Sequence, residues 1–194
     1  MARSLFAEPK WPTEQRAFDA PLLIGIVSDT HVHSHGARQL PPDVPTLFRR
    51  FEAKLILHAG DVNTGEVLDA LAEIAPLIAV TGNNDDLELR SRLEPEERFT
   101  VGRHRFVLRH GHGGRSARHE ARLLAAEADC VVYGHSHIPL IEDVDGTILF
   151  NPGSATDRRW QEHFGIGLIR VTEEKIEPEL ILYDDPRHLA NVRP

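Results

Sequence analysis

Three times in its first half, the chain runs from a short apolar segment into a polar loop and then into residues spaced for a helix. The apolar runs are Leu22-Leu23-Ile24-Gly25-Ile26-Val27, Leu55-Ile56-Leu57-His58-Ala59 and Leu77 to Val80. Continuous rather than alternating apolar character marks strands buried on both faces. After the first run, Val44, Leu47, Phe48 and Phe51 fall at helical spacing behind Pro41-Pro42, with Asp43 as the expected cap. After the second, Asn63-Thr64 open a helix whose apolar face is Val67, Leu68, Leu71 and Ile74, and Pro76 stops it. Steps of about thirty residues of this kind predict a parallel sheet with crossover helices.

The second half reads differently. Arg98 to Val101 and Arg105 to Arg109 flank Gly102-Arg103-His104 as a hairpin, and a second hairpin turns at Asp145-Gly146. A helix is expected from Ser116 to Ala128, then a strand from Cys130 to Tyr133. Two further strands, Ile166 to Val171 and Ile176 to Tyr183, close the chain. The expected fold class is α/β, with two packed mixed β-sheets flanked by helices in a four-layer αββα sandwich. Residues 1–20 read as an N-terminal arm that offers a contact for a homo-oligomer, 21–184 as one domain, and 185–194 as a loose tail.

Charge and composition exclude several function classes. A net charge of −8 argues against a general phosphate-backbone binder, so long nucleic acid is disfavoured. The single cysteine, Cys130, forms no internal disulfide and reads as a small buried hydrophobe in a reducing compartment. No run is long enough to span a bilayer and the N-terminus lacks a secretory apolar core, so a cytoplasmic protein is expected. The composition stands out in one respect, its 12 histidines, many at strand ends.

Five strand ends carry candidate metal ligands: Asp29-x-His31, Gly60-Asp61, Gly82-Asn83-x-Asp85, His110-Gly111-His112 and Gly134-His135-Ser136-His137. Taken singly, each has a plainer reading. Asp29, Asp61 and Asn83 are residue types that cap helices, and the last tetrapeptide is a polar turn leaving a strand. Together they are expected to converge, because ligands in open α/β sheets bind beyond the carboxyl ends of the strands. Carboxylate, amide oxygen and imidazole without thiolate suit Mn²⁺, Fe²⁺, Zn²⁺, Co²⁺ or Ni²⁺. The donors exceed what one ion needs, so two ions are implied.

The ordered set D-x-H, G-D, G-N-x-D, H-G-H, G-H-x-H resembles the calcineurin-like metallophosphoesterases. With Asn151-Pro152-Gly153-Ser154 following, it is similar to their small bacterial and archaeal phosphodiesterase branch. The resemblance implies a first metal on Asp29, His31 and His137, a second on Asn83, His110 and His135, and Asp61 bridging both. It further implies a small phosphodiester or nucleotide substrate, attacked by a hydroxide shared between two divalent ions, with manganese first among the candidates. Asp61, Asn83 and His112 are then the catalytic candidates, and Asn84, Asp85 and Arg159 the substrate contacts. Larger relatives carry histidine where this chain has Asn84, and an amide is no general acid. The alternative from a different class is a scaffold that keeps this fold for protein–protein interaction without catalysis, as the retromer subunit similar to this branch does.

Overall fold

A computed structural model describes residues 17–185, which build eleven strands and four α-helices. In chain order these begin with β1 (Ala17–Phe18), β2 (Leu22–Val27), α1 (Asp43–Arg50), β3 (Leu55–His58), α2 (Gly65–Ala72) and β4 (Leu77–Ala79). Next come α3 (Leu87–Arg92), β5 (Glu96–Val101), β6 (His104–Arg109), α4 (Ala117–Leu123) and β7 (Cys130–Tyr133). The chain closes with β8 (Leu140–Val144), β9 (Thr147–Asn151), β10 (Phe164–Val171) and β11 (Ile176–Tyr183).

Two sheets result. The five-stranded sheet runs β11-β10-β2-β3-β4, and the six-stranded sheet runs β1-β5-β6-β7-β9-β8. β2, β3 and β4 pair in parallel as the first half predicts, while β10 adds antiparallel to β2. The second sheet is less antiparallel than its hairpins suggest, because β7 pairs in parallel with both β6 and β9.

Side-chain alternation along the strands sorts the core into layers. Ile24, Ile26, Leu55, Leu57 and Ile78 of one sheet meet Phe99, Phe106, Leu108, Cys130, Val132 and Phe150 of the other. The opposite faces of β2 and β3 turn Val27 and Ile56 onto Val44, Leu47 and Phe48 of α1 and Val67, Leu68 and Leu71 of α2. On the far side, Val107, Val131 and Leu149 cover Ala117 and Ala121 of α4. The order is helix, sheet, sheet, helix.

Local chemistry accounts for the turns and for the departures from expectation. Asp145 and Gly146 both adopt positive φ, 53° and 88°, the geometry a two-residue hairpin turn requires. Asp43 is the first helical residue rather than the cap, and Pro42 stands at the cap position without a side-chain bond. The helix expected to reach Ala128 stops at Leu123 and tightens into a 3₁₀ turn over Ala125–Glu127. Thr147 Oγ1 lies 2.7 Å from the Ala125 carbonyl and 2.9 Å from that of Ala128, a tertiary claim on the last turn. Ala17 and Phe18, read as part of the arm, pair in parallel with β5, and Phe18 packs edge-on against Phe99 at 6.1 Å. Residues 1–16 of the expected arm, and the tail beyond Asp185, lie outside the described residues. No helix among the described residues is long and apolar enough to cross a membrane.

Phe150 is fully buried between the sheets. Phe150→Ala is expected to lower unfolding free energy by about 3–5 kcal/mol in urea denaturation, through lost apolar burial and the cavity left behind.

Candidate metal centre

The C-terminal ends of β2, β3, β6 and β7, with the loop that follows β4, bring the candidate ligands together. Asp29 Oδ1 lies 3.2 Å from His137 Nε2 and 4.0 Å from Nε2 of both His31 and His110. Asp61 Oδ2 lies 3.6 Å from His31 Nε2 and 3.3 Å from His110 Nε2. The Nε2 atoms of His31 and His137 face each other at 3.2 Å, and Asn83 Oδ1 is 3.2 Å from His110 Nε2. Two overlapping groups therefore emerge, Asp29-His31-His137 and Asp29-Asp61-His110, each with its ligand atoms within 4.8 Å of one another. Both carboxylates lie between histidines of different groups.

Asp29, Asp61, His110 and His137 are each aimed by what holds the far side of the group. Ser28 Oγ at 2.5 Å and the His135 backbone N–H at 3.0 Å both donate to Asp29 Oδ2, which turns Oδ1 into the cluster. His110 Nδ1–H donates to the Ala59 carbonyl at 2.7 Å, and His137 Nδ1–H donates to that of Asp157, so both present Nε2 inward. A ligand histidine oriented this way has its tautomer chosen for it. The Asn84 backbone N–H donates to Asp61 Oδ1 at 2.8 Å and its amide to Oδ2 at 2.6 Å, clamping both oxygens.

The backbone is as unusual as the side chains. Asp29, His31, Asp61, His135 and His137 all lie in the left-handed region, with φ of 53°, 45°, 55°, 66° and 58°. Such angles are uncommon for residues other than glycine and cluster at functional sites. Space is equally tight, since a Cβ at Gly82 would overlap the Asp61 carboxylate and one at Gly60 would come within 2.7 Å of His110 Nδ1. The glycines of these motifs permit that close approach.

The electrostatics fit a cation. Burial works to raise the Asp61 pKa, but His110 and the Asn84 donors outweigh it and hold the group well below the carboxylate range. Asp29 is likewise lowered, as His137 and His110 overcome the effect of burial. Burial lowers the pKa of His31 and, with the charge of His110, that of His135 and His112, which favours the neutral, metal-binding imidazole. Burial also pushes on His110, yet its contact with Asp61 and the charge of Asp29 raise it overall. Two atoms of the cluster are left for a cation to satisfy. Asp29 Oδ1 and His135 Nδ1 are buried and receive no hydrogen bond. Such orphans are costly in a fold unless something else satisfies them.

Other residues singled out in the sequence take different places. His112 is exposed, its ring 5.4 Å from that of His110 and 6.4 Å from that of His135. His33 and His35 are exposed, and Cys130 is fully buried with its thiol pKa pushed up by burial. Asn84, expected at the substrate, is the clamp on Asp61. Asp85, expected there too, is 4% exposed and faces the backbone, accepting from the amides of Val62, Asn63 and Gly82 at 2.7, 2.8 and 2.7 Å. Arg159 is exposed, and its guanidinium makes no hydrogen bond or ion pair among the described residues.

Several supporting residues have a role that the sequence does not state, even where, as in Asn151-Pro152-Gly153-Ser154, the motif itself is visible. Ser154 Oγ donates to the Asp29 carbonyl at 2.7 Å, Thr156 Oγ1 donates to that of Thr30, and Asn151 Nδ2 donates to that of Gly134 at 2.9 Å. The Asn-Pro-Gly-Ser segment is thus a brace joining the first and last ligand loops. Arg90 of α3, whose Nη2 donates to the Asn83 carbonyl at 2.5 Å, is likewise unmarked, because its six-residue helix carries no apolar period.

The chain belongs to the calcineurin-like phosphoesterase superfamily, whose family model matches residues 22–174. It is 37% identical over 167 residues to a "Probable metallophosphoesterase" of Methanothermobacter thermautotrophicus, covering 82% of this chain and 92% of that protein. It is 28% identical over 142 residues to a phosphodiesterase of Methanocaldococcus jannaschii, covering 67% and 82% of the two chains. Among solved structures, a novel archaeal phosphodiesterase superposes with a TM-score of 0.68 at 25% identity, covering 84% of this chain and 100% of that one. Vps29 of Entamoeba histolytica, solved with Zn²⁺, shares the fold with a TM-score of 0.66 at 22% identity, covering 83% and 99%. Family and ligand clusters together make this a hydrolase-family chain that takes divalent metal.

Two predictions follow from the local bonding. Asp85→Ala leaves three backbone amides without their acceptor, so unfolding free energy is expected to fall by about 2–3 kcal/mol. Metal content, read by elemental analysis, should fall with it, because the Asp61 turn loses its anchor. His58 is the second case. It is fully buried, its Nε2–H donates to Thr30 Oγ1 at 3.1 Å, and its Nδ1 has no partner. Burial drives its pKa down to about 3. Since the folded pKa lies below the ordinary value of about 6.5, the unfolded chain takes up that proton first as pH falls. Stability of the metal-free protein should therefore decline with acid across that window. In His58→Leu the urea midpoint should fall less between pH 7 and pH 5; an unchanged slope counts against this origin.

Proposed function

We propose that the chain is a phosphodiesterase that hydrolyses small phosphodiesters with two divalent ions. Asp29, His31 and His137 would hold the first, and Asn83, His110 and His135 the second, with Asp61 shared. The observation that carries this reading is the convergence of Asp29 Oδ1, itself without a hydrogen bond, and Asp61 Oδ2 on three imidazole Nε2 atoms at 3.2–4.0 Å. The phosphodiesterases among its relatives and structural neighbours support the substrate class. Manganese leads the candidate metals, with iron, zinc, nickel and cobalt also matched to this oxygen and nitrogen donor set.

Bound there, divalent ions supply Lewis acidity toward phosphoryl oxygen and a low pKa for water, so no side-chain nucleophile is required. The chain's own residues set the geometry. Asp61 is held anionic and immobile by Asn84. Asn84 gives both its donors to that carboxylate and has no acidic proton for a leaving group. His112, solvent-facing at the edge of the cluster and lowered in pKa by partial desolvation and by the charge of His110, is an imidazole left free to donate an N–H to the departing oxygen. The scaffold alternative finds less support, because every ligand position expected from the family motif is filled.

The test combines metal analysis with turnover. Metal-loaded protein should hydrolyse bis(p-nitrophenyl) phosphate at least about 100-fold faster than Asp61→Asn, and chelation should abolish the activity. His135→Ala and His137→Ala should each remove about one ion per chain under this assignment. Loaded wild-type protein no faster than Asp61→Asn would sink the proposal.

A further inference from the structure

α3 carries a cation to the edge of the cluster. Arg90 Nη2 donates to the Asn83 carbonyl, and the charge of Arg90 acts on the His112 ring. Asn83 and His112 both adjoin His110, so the guanidinium stands on that side of the site. The bond to Asn83 occupies one of five N–H donors and leaves the remainder of the fork available. Among the described residues no carboxylate lies within ion-pair distance of it, whereas Arg92, two residues on, pairs with Glu88 at 3.2 Å. The neighbouring acids are turned elsewhere: Asp85 toward the backbone, Asp86 toward the Leu89 N–H, and Asp61 toward Asn84. An exposed guanidinium held at one end and unpaired is unexpected beside so many carboxylates in a chain of net charge −8.

We propose that Arg90 binds the phosphoryl group of the substrate, giving one or two charge-assisted hydrogen bonds to its anionic oxygens beside Asn83 and His112. This rests on the phosphodiesterase reading and adds a substrate-binding residue to it. A guanidinium fork matches phosphate oxygens in a way an ammonium does not, and it keeps its charge at every working pH. The competing role is purely structural, with Arg90 only bracing the Asn83 carbonyl. Charge separates the two. Arg90→Lys keeps a cation, whereas Arg90→Gln keeps an amide donor for the carbonyl without the charge.

The experiment uses the full chain loaded with Mn²⁺ and measures inorganic phosphate binding by calorimetry, metal content, and steady-state kinetics on bis(p-nitrophenyl) phosphate. Arg90→Gln and Arg90→Ala should weaken phosphate binding about tenfold and raise KM similarly, with metal content unchanged and kcat within about twofold. Arg90→Lys should recover most of the affinity, and the difference should shrink at high salt, where exposed charges are screened. Wild-type affinity in Arg90→Gln, or loss of metal in all three variants, overturns the inference. If loaded wild-type protein binds phosphate through Arg90 but hydrolyses no diester, the anion site stands and the phosphodiesterase reading falls. If it hydrolyses diesters and Arg90→Gln changes nothing, only the anion site falls.

Discussion

Asp29 is fully buried, with one carboxylate oxygen satisfied and the other left bare. A buried anion of this kind costs several kcal/mol unless opposite charge meets it. Much of the structure around it answers that constraint. Three imidazoles converge on Oδ1, two of them tied at Nδ1 to backbone carbonyls. A second anion, Asp61, sits beside the same histidines. Two carboxylates this close repel each other until cations come between them, which suits the cluster to a divalent metal rather than to a buried polar network.

Holding such a cluster demands strained backbone. Five residues of the cluster occupy left-handed φ, each at a cost of order 1–3 kcal/mol by general experience. The strain persists only because other groups over-determine the loops. Asp85 gathers three amides beneath the Asp61 turn, Ser154 and Thr156 pin the carbonyls of Asp29 and Thr30, and Asn151 pins that of Gly134. The two sheets supply the rigid base from which these loops leave. The centre is thus set by the edges of a core whose strands are buried on both faces.

That division explains what could be read from the sequence. Strands buried on both faces announce themselves as continuous apolar runs, so β2, β3 and β7 were legible, as were the residues standing at their ends. The Asp145-Gly146 turn was legible because its dihedral demand selects those residue types. α3 was not, because six residues with Leu87 84% exposed carry no helical period. The end of α4 was not, because Thr147, far along the chain, decides it. The same holds for Asn84 and Asp85. Their residue types suit substrate contact and structural pinning equally, and only the placement of Asp61, Val62 and Gly82 around them separates the two roles.

The placement of Asn84 bears on chemistry. A residue at that position with a titratable ring could protonate a leaving group, but only if its ring were free to face the substrate. Here the amide is committed to Asp61 Oδ2 at 2.6 Å while the backbone N–H of the same residue takes Oδ1. Replacing an acid with a clamp trades proton donation for a fixed orientation of the shared carboxylate. On the proposed reading that trade suits diesters whose leaving oxygen needs little help. On the same reading it leaves the remaining assistance to His112 and Arg90, on the His110 side of the site. Neither is locked as Asn84 is: His112 is exposed, and Arg90 is held at one nitrogen. On the proposed reading, the rigid side would hold the metal and the looser side would meet the ester, a division of labour that follows from which donors are committed and which are free.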